Sequence, residues 1–302
     1  MDDFWQKIRP VARWVVPGLL AAIIAAVWLV VRSGGILGIT VFYIGLQMVL
    51  PLLGLAAAIL LIVYAVATKH VSVPVLLTGA LALIALWPAL WLVGVAQIPY
   101  PVNARALEPT VTIEVPANEP LMVAWGGRRL VNNYHAWTPD QMLAYDLVAE
   151  PAFTGSANLT DYGCYGLDVL APIAGEVVVA HDGEPDQVPG QLQINTAQPS
   201  GNHVVLELDT GTYLVIAHLK PGSVAVEPGD QVAVGDVLGQ CGNSGNTSEP
   251  HVHIHHQRQD PREWPVNFAE GLPLEFEGIG VAQGGIRARG GEVEFFGETI
   301  QP

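Results

Sequence analysis

The chain has 302 residues, 51% of them hydrophobic and 14% charged, with a formal charge of −15 and a mean hydropathy of +0.38. That composition excludes a disordered chain and does not suit an ordinary soluble enzyme. Residues 1–97 hold 5 Lys+Arg against 2 Asp+Glu, whereas residues 98–302 hold 8 against 26. The acidic remainder argues against a nucleic-acid partner, which needs a basic footprint. Two cysteines exclude a disulfide-dense scaffold and a CxxC…CxxC zinc module.

Residues 1–97 read as a membrane domain. No charged residue occurs from Trp14 to Val31, from Ser33 to Thr68, or from Val71 to Ala104. A spanning helix needs about 20 apolar residues, so transmembrane helices are expected near 12–32, 43–67 and 73–96. Three such runs in succession argue against a buried core helix. The first is not followed by the small-residue cleavage site of a signal peptide. Lys7, Arg9 and Arg13 precede the first span and Lys69 lies between the second and third, while only Arg32 lies on the opposite side. The positive-inside rule then makes the N-terminus cytoplasmic. The chain is thus expected to be a multi-pass cell-membrane protein with residues 98–302 extracytoplasmic. No acidic or basic residue lies inside a predicted span, so no ion pathway is expected.

After Pro99 and Pro101 the pattern changes to short alternating segments, which predict an all-β domain over 98–302. Strands are expected at Val111–Val115, Leu121–Trp125, Glu176–Ala180, Val204–Leu208, Tyr213–Ala217, Val224–Val226, Gln231–Val234 and His251–His255. A hairpin turn is expected at Asp209-Thr-Gly-Thr. Only Asp140–Leu147 shows a trace of helical periodicity. Gly183 to Gln198 is mostly polar and reads as a loop.

The densest chemical cluster is His251-Val-His253-Ile-His255-His256. On a strand, residues two apart share a face, so His251, His253 and His255 lie together and Val252 and Ile254 turn to the core. Neighbouring imidazoles suit a metal ligand beside a catalytic base; an isolated HxH is more often a water-facing strand edge. Here the preceding run Gly239 to Pro250 is rich in Gly, Asn and Ser, the kind of loop that brings backbone close to a site. His218 ends an apolar strand. His135 follows Val131-Asn-Asn-Tyr, and Asp146 is an acid inside the apolar stretch Leu143–Val148, where a buried carboxylate needs a partner such as a cation. His70, His181, His203, His255 and His256 take the structural reading, the last two as solvated residues beyond the site.

From about Trp125 to Gln257 the sequence resembles the lysostaphin/LytM-type zinc metallopeptidases, which cut peptide bonds in peptidoglycan. The resemblance rests on four blocks in order: Gly201-Asn-His-Val-Val-Leu, Ile216-Ala-His218-Leu, Val232 to Thr247 with its Gly239-Gln-Cys-Gly-Asn-Ser-Gly-Asn core, and Pro250-His251-Val-His253. It implies a twisted antiparallel sheet forming an open groove with zinc on its floor. It also implies His253 as a zinc ligand, His251 as general base, and His218 as a residue that orients or polarises the reacting groups. No HExxH helix occurs, so two histidines would do the proton work.

The family's first two ligands usually stand as HxGxD. Cys164-Tyr-Gly-Leu-Asp168 mimics that spacing, but it abuts the segment Val169 to Ala180 that in the family comes several residues after the ligand Asp. The resemblance is therefore carried onto His135 and Asp146 instead, with the intervening residues looping out and the two side by side on adjacent strands of a hairpin. Cys164 and Cys241, the chain's two cysteines, are expected to pair if the domain is outside the cell. The expected function is a zinc endopeptidase acting on peptidoglycan peptides at the membrane. The alternative is a catalytically silent relative that binds wall or regulates another hydrolase. A third reading, a biotinyl- or lipoyl-type carrier barrel, rests on the turns at Ala171–Val178 and Val226–Asp236. It lacks a modifiable Lys at the turn and leaves His251 and His253 unexplained.

Overall fold

The computed structural model describes residues 2–69, 71–92, 95–130, 132–289 and 292–302. His70, Val131, and Val93 and Gly94 of the third predicted span lie outside the described residues. The chain divides into two compact units, Met1–Val102 and Asn103–Pro302, a few residues beyond the sequence-based division at 97/98.

Among the described residues, the first unit has three helices long and apolar enough to cross a membrane: Arg13–Arg32, Gly35–Thr68 and Val73–Trp91. The second begins earlier than predicted, because no proline or charge lies in residues 35–43 after the Gly34-Gly35 turn. Its 34 residues would reach about 50 Å at 1.5 Å per residue, and its stretch Val41–Val49 is wound as a π-helix. The third is regular over Val73–Leu86 and restarts at Ala89–Leu92. Pro88 accounts for the break, since it lacks an N–H and its ring crowds the carbonyl one turn back. The second and third helices approach closely at small residues. A Cβ on Gly54 would meet Ala82 O at 2.8 Å and Ala85 Cβ at 3.0 Å, the small-residue contact favoured where lipid gives no hydrophobic drive between helices.

The second unit is mostly β, as predicted. Its main sheet uses β1 (Leu121–Trp125), β2 (Tyr145–Val148), β3 (Gly175–His181), β4 (Asn202–Glu207), β5 (Tyr213–Leu219), β6 (Gln231–Val232), β7 (Val252–Gln257), β8 (Gly271–Leu272) and β9 (Thr299–Ile300). All pairings are antiparallel, in the order β9-β1-β2-β7-β5-β4-β3-β6, with β8 on β7. The central strands alternate apolar side chains into one core, where Val123, Leu147, Val204, Leu206, Leu214, Ile216, Val252 and Ile254 are essentially inaccessible. Each such side chain is worth roughly 1.5–3 kcal/mol when buried, so the register of β7 against β2 and β5 is firmly set.

Several expectations are corrected. Asp140–Leu147 is not helical: it passes through turns into β2, whose four consecutive buried residues carry no alternation to announce a strand. Val224–Val226 forms no strand; only Ala225 N–H bonds across, to Leu238 O at 3.0 Å. Strands at Asp168–Leu170, Val237–Gln240 and beyond residue 270 were not foreseen.

Cys164 and Cys241 form a disulfide closing 77 residues of sequence. Two backbone bonds flank it, Gly166 N–H to Cys241 O and Cys241 N–H to Leu167 O, both 2.8 Å. Unreduced, denatured protein is expected to titrate without free thiols. A Cys164→Ser/Cys241→Ser chain should lose about 2–4 kcal/mol of stability in urea unfolding, for a loop of this size. Two titratable thiols in the parent protein would contradict the bond.

Candidate metal centre

β7 lies between β2 and β5, and its register sets His253 opposite Asp146 on one side and Ala217 on the other. Val252 and Ile254 enter the core, so His251, His253 and His255 take the opposite face. At the end of β5, His218 has a φ of 65°, a left-handed conformation that costs a non-glycine residue about 1–3 kcal/mol and marks a site that its surroundings must hold. They do: its N–H donates to Ser200 O at 3.0 Å, its carbonyl accepts from Gly242 N–H at 3.1 Å, and its Nδ1 meets Ser244 O at 2.8 Å. The loops bearing Ser200 and Ser244 press together, and a Cβ on Gly245 (φ 82°) would stand 2.3 Å from Gly201 N. Only glycine permits that approach.

His135 is not on a strand beside β2, contrary to expectation. It sits in a 3-10 turn, Tyr134–Trp137, inside the long β1–β2 connection. Asn133 shapes this turn. Its Oδ1 accepts from His135 N–H at 3.1 Å and faces His135 Nδ1 at 2.9 Å. Its Nδ2 points to the carbonyls of Gly127, Met142 and Ala144. A side-chain amide thus does here what a strand pairing was expected to do.

The result brings all five predicted site residues together. Asp146 Oδ1 lies 2.9 Å from His253 Nδ1 and 3.5 Å from both His135 Nε2 and His251 Nε2. Its Oδ2 accepts from Tyr134 O–H at 3.0 Å. The ligand atoms of His135, Asp146 and His253 lie within 4.8 Å of one another, as do those of His218, His251 and His253. The ring centroids of His218 and His251 are 4.8 Å apart.

Where the ring protons sit decides whether a cation fits. His135 Nδ1 donates to the Asn133 oxygen, His218 Nδ1 to Ser244 O, and His251 Nδ1 to Glu249 O at 2.8 Å. In each neutral ring the lone pair is then on Nε2. His253 is reached from the other end. Gln257 Nε2 donates to Gln259 O, so its Oε1 is the atom 3.0 Å from His255 Nε2, which must donate. His255 Nδ1 is left to accept from His253 Nε2 at 2.9 Å. The lone pair of His253 therefore falls on Nδ1, aimed at a carboxylate oxygen. Three nitrogen lone pairs converge on the anionic Asp146 Oδ1, and His251 Nε2 is buried without a hydrogen bond. Such a donor set repels itself unless a cation stands among it, and nitrogen with carboxylate suits zinc.

Burial lowers His135 to about 3 against the attraction of Asp146, and it lowers His218 and His255 well below the ordinary imidazole value. Burial pushes Asp146 up, but the charge that His135 and His251 carry when protonated outweighs it and holds the carboxyl well below its usual range. His251 moves the other way: burial lowers it, but Asp146 and Glu249 together raise it above the ordinary value. The site thus holds an anion and mostly neutral rings, the states metal binding requires.

His255 and His256 are not solvated. They are 4% and 1% exposed; the first supports His253, and the second bonds Thr212 Oγ1 and Pro273 O. His255, Gln257, Asn133 and Tyr134 were missed as site residues. The continued alternation after His253 was the signal for His255. Cys164 is committed to its disulfide, and Asp168 is exposed, its Oδ1 accepting from Gln240 Nε2.

Residues 158–267 match the model of Peptidase family M23. This stretch includes His218, His251 and His253, and begins after His135 and Asp146. No curated protein matches the chain. Among solved structures it is similar to the catalytic domain of a mutant prophage-encoded M23 protein EnpA from Enterococcus faecalis, with 17% identity, 50% of this chain and 86% of that one covered, and a TM-score of 0.33. It is similar to the catalytic domain of the antimicrobial peptidase lysostaphin from Staphylococcus simulans, with 18% identity, 51% and 89% covered, and a TM-score of 0.30. It is also similar to the M23 metalloprotease pseudoalterin from the deep sea, with 14% identity, 63% and 98% covered, and a TM-score of 0.36.

The depressed histidines make the metal-free fold acid-sensitive. Below about pH 6.5 the unfolded chain takes up protons that folded His135, held near 3, does not. That part of the stability is complete above the unfolded value and is lost as pH falls toward 3; His255 and His218 act in the same sense and His251 opposes them. The melting temperature of metal-stripped protein is expected to fall by several degrees between pH 7.5 and pH 5. An unchanged or higher value at pH 5 would contradict the neutral-ring assignment.

Proposed function

We propose that this chain, whose residues 158–267 match the model of Peptidase family M23, is a membrane-anchored zinc endopeptidase acting on peptide cross-links of peptidoglycan. The observation that carries this reading is the convergence of ring lone pairs on Asp146, with His218 and His251 beside it. His135, Asp146 and His253 would hold the zinc, three protein ligands that leave a further position for water or substrate. When bound, zinc supplies Lewis acidity and brings the pKa of water down to about 7.

His251 keeps its Nδ1–H on the Glu249 carbonyl, so its Nε2 lone pair takes the proton of the attacking water and later delivers it to the leaving amine. His218, fixed by Ser244, presents Nε2 on the other side of the reacting atoms and orients them. It stays neutral, held low by burial, and accepts a hydrogen bond from the second hydrogen of that water. Tyr134 donates its hydroxyl to Asp146, and His255 holds the ring of His253, the outer-shell support that metal ligands need.

One observation favours a second reading, a silent wall-binding or hydrolase-regulating relative. The match to the family model begins at residue 158, and His135 and Asp146 stand 11 residues apart instead of in an HxGxD pair.

Purified full-length protein in detergent, assayed for metal content and for release of peptides from peptidoglycan, separates the two. His253→Ala is expected to lose zinc. His251→Ala and His218→Ala should keep zinc and lose about 10²–10⁴-fold in turnover. A His251→Ala chain at the parent rate would refute the mechanism. Parent protein that binds zinc and cleaves no wall preparation would favour the silent relative. His135→Ala is expected to lose metal and Cys164→Ser to keep it; the reverse would move the ligands to Cys164 and Asp168.

Lys7, Arg9, Arg13 and Lys69, with only Arg32 on the opposite side, support a cytoplasmic N-terminus and an extracytoplasmic second unit. Protease added to intact spheroplasts should digest residues beyond Val102. Their protection would overturn this topology.

A further inference from the structure

Two cavities open onto the histidine cluster, and their linings differ. One, of about 520 Å³, has Asp146 and His251 in its wall together with Trp125, Val148, Phe153, Leu192 and Ile194. The other, of about 540 Å³, has His135, His218 and His253 in its wall together with the polar Thr138, Gln141, Asn195 and Ser200. Tyr134 and Asn246 line both. A peptide crossing the cluster therefore puts its bond to be cut over Asp146 and the histidines, with one neighbouring residue in an apolar cavity and the other in a polar one.

The apolar cavity is built partly from the otherwise polar loop between Gly183 and Gln198. Its three large aliphatic residues, Val188, Leu192 and Ile194, are all exposed, Leu192 at 57% and Ile194 at 76%. The loop is pinned on either side of them. Gln187 Nε2 donates to Gln193 O at 2.8 Å, Asn195 N–H to Asn246 Oδ1 at 2.6 Å, and Asn195 Nδ2 to Glu184 Oε2 at 3.0 Å. Apolar side chains presented to water by an anchored loop, beside a reactive centre, mark a surface that gains from being covered. The charged side chains lining the cavity are acidic, Asp146 and Glu249, which disfavours an anionic occupant.

We propose that this cavity is a subsite for a long, uncharged aliphatic side chain on the peptide residue next to the bond that is cut, so that the preferred substrate is not an all-glycine bridge. The inference rests on the peptidase reading and adds the side-chain class that the site selects. Glycine leaves Leu192 and Ile194 wet, whereas an aliphatic side chain of several methylenes covers them and gains affinity in proportion to the area removed from water. If the contact is kept in the transition state, it appears in kcat/KM.

Zinc-loaded full-length protein in detergent is assayed on labelled pentapeptides carrying glycine on both sides of the cleaved bond, or norleucine on one side or the other. Norleucine on one side is expected to raise kcat/KM by about 10- to 100-fold over glycine. A Leu192→Ser/Ile194→Ser chain should bring that ratio toward unity. Equal rates on all three peptides, with cleavage intact, would overturn the subsite and leave the peptidase reading standing. A double variant that keeps the norleucine preference but loses self-association would assign the loop to a contact between copies, and would also overturn it. If no peptide is cut, the peptidase reading falls, and fluorescence-anisotropy affinities of the same peptides decide the subsite. Tighter norleucine binding that the double variant abolishes supports it, and equal affinities overturn it.

Discussion

The second unit depends on where protons sit on a handful of buried imidazoles. His135, His218 and His251 each give an N–H to an oxygen of the protein, and His253 does so through His255. Those outward bonds leave the inward nitrogens with lone pairs around a carboxylate. The arrangement is unfavourable in itself, because desolvated lone pairs and an anion repel at short range. A rigid scaffold is needed to keep it from relaxing, and the antiparallel sheet supplies one. Asp146 and His253 sit opposite each other on neighbouring strands whose other faces are locked in the core.

The parts of this arrangement that follow a period were legible in the sequence. The alternation Val252, Ile254 against His251, His253 placed β7 and its face correctly, and the long uncharged runs located three apolar helices. The parts that depend on one side chain bonding to one backbone group were not legible. Nothing in the pattern says that the Asn133 amide would reach three carbonyls and set His135 in a 3-10 turn, or that the Tyr134 hydroxyl would bond Asp146. Only the resemblance sets Asp146 on a strand, and no pattern marks β2, because all four of its residues are buried. A strand covered on both faces has no period of two to read. His255 was misplaced for the opposite reason: the alternation was visible, but a polar residue past the HxH pair was assumed to face water.

The loops over the sheet divide the labour by composition. Glycines at 201 and 245 let two segments meet at backbone contact and fix His218, while the disulfide holds the segment just before them. The Gly183–Gln198 loop instead presents aliphatic side chains outward from an anchored backbone. Rigidity at the cluster and apolar cover at its flank come from different stretches of chain, so one can change while the other is retained.

His253 and Asp146 are 107 residues apart in the chain. Asp146 and His135 are synthesised before the ring that faces them, and the strand carrying that ring also fills the gap between β2 and β5. A nascent or truncated chain ending before residue 252 thus has an incomplete sheet and an incomplete centre at the same time. The sheet and the cluster are thus completed by one strand, and a chain in which either is whole has both.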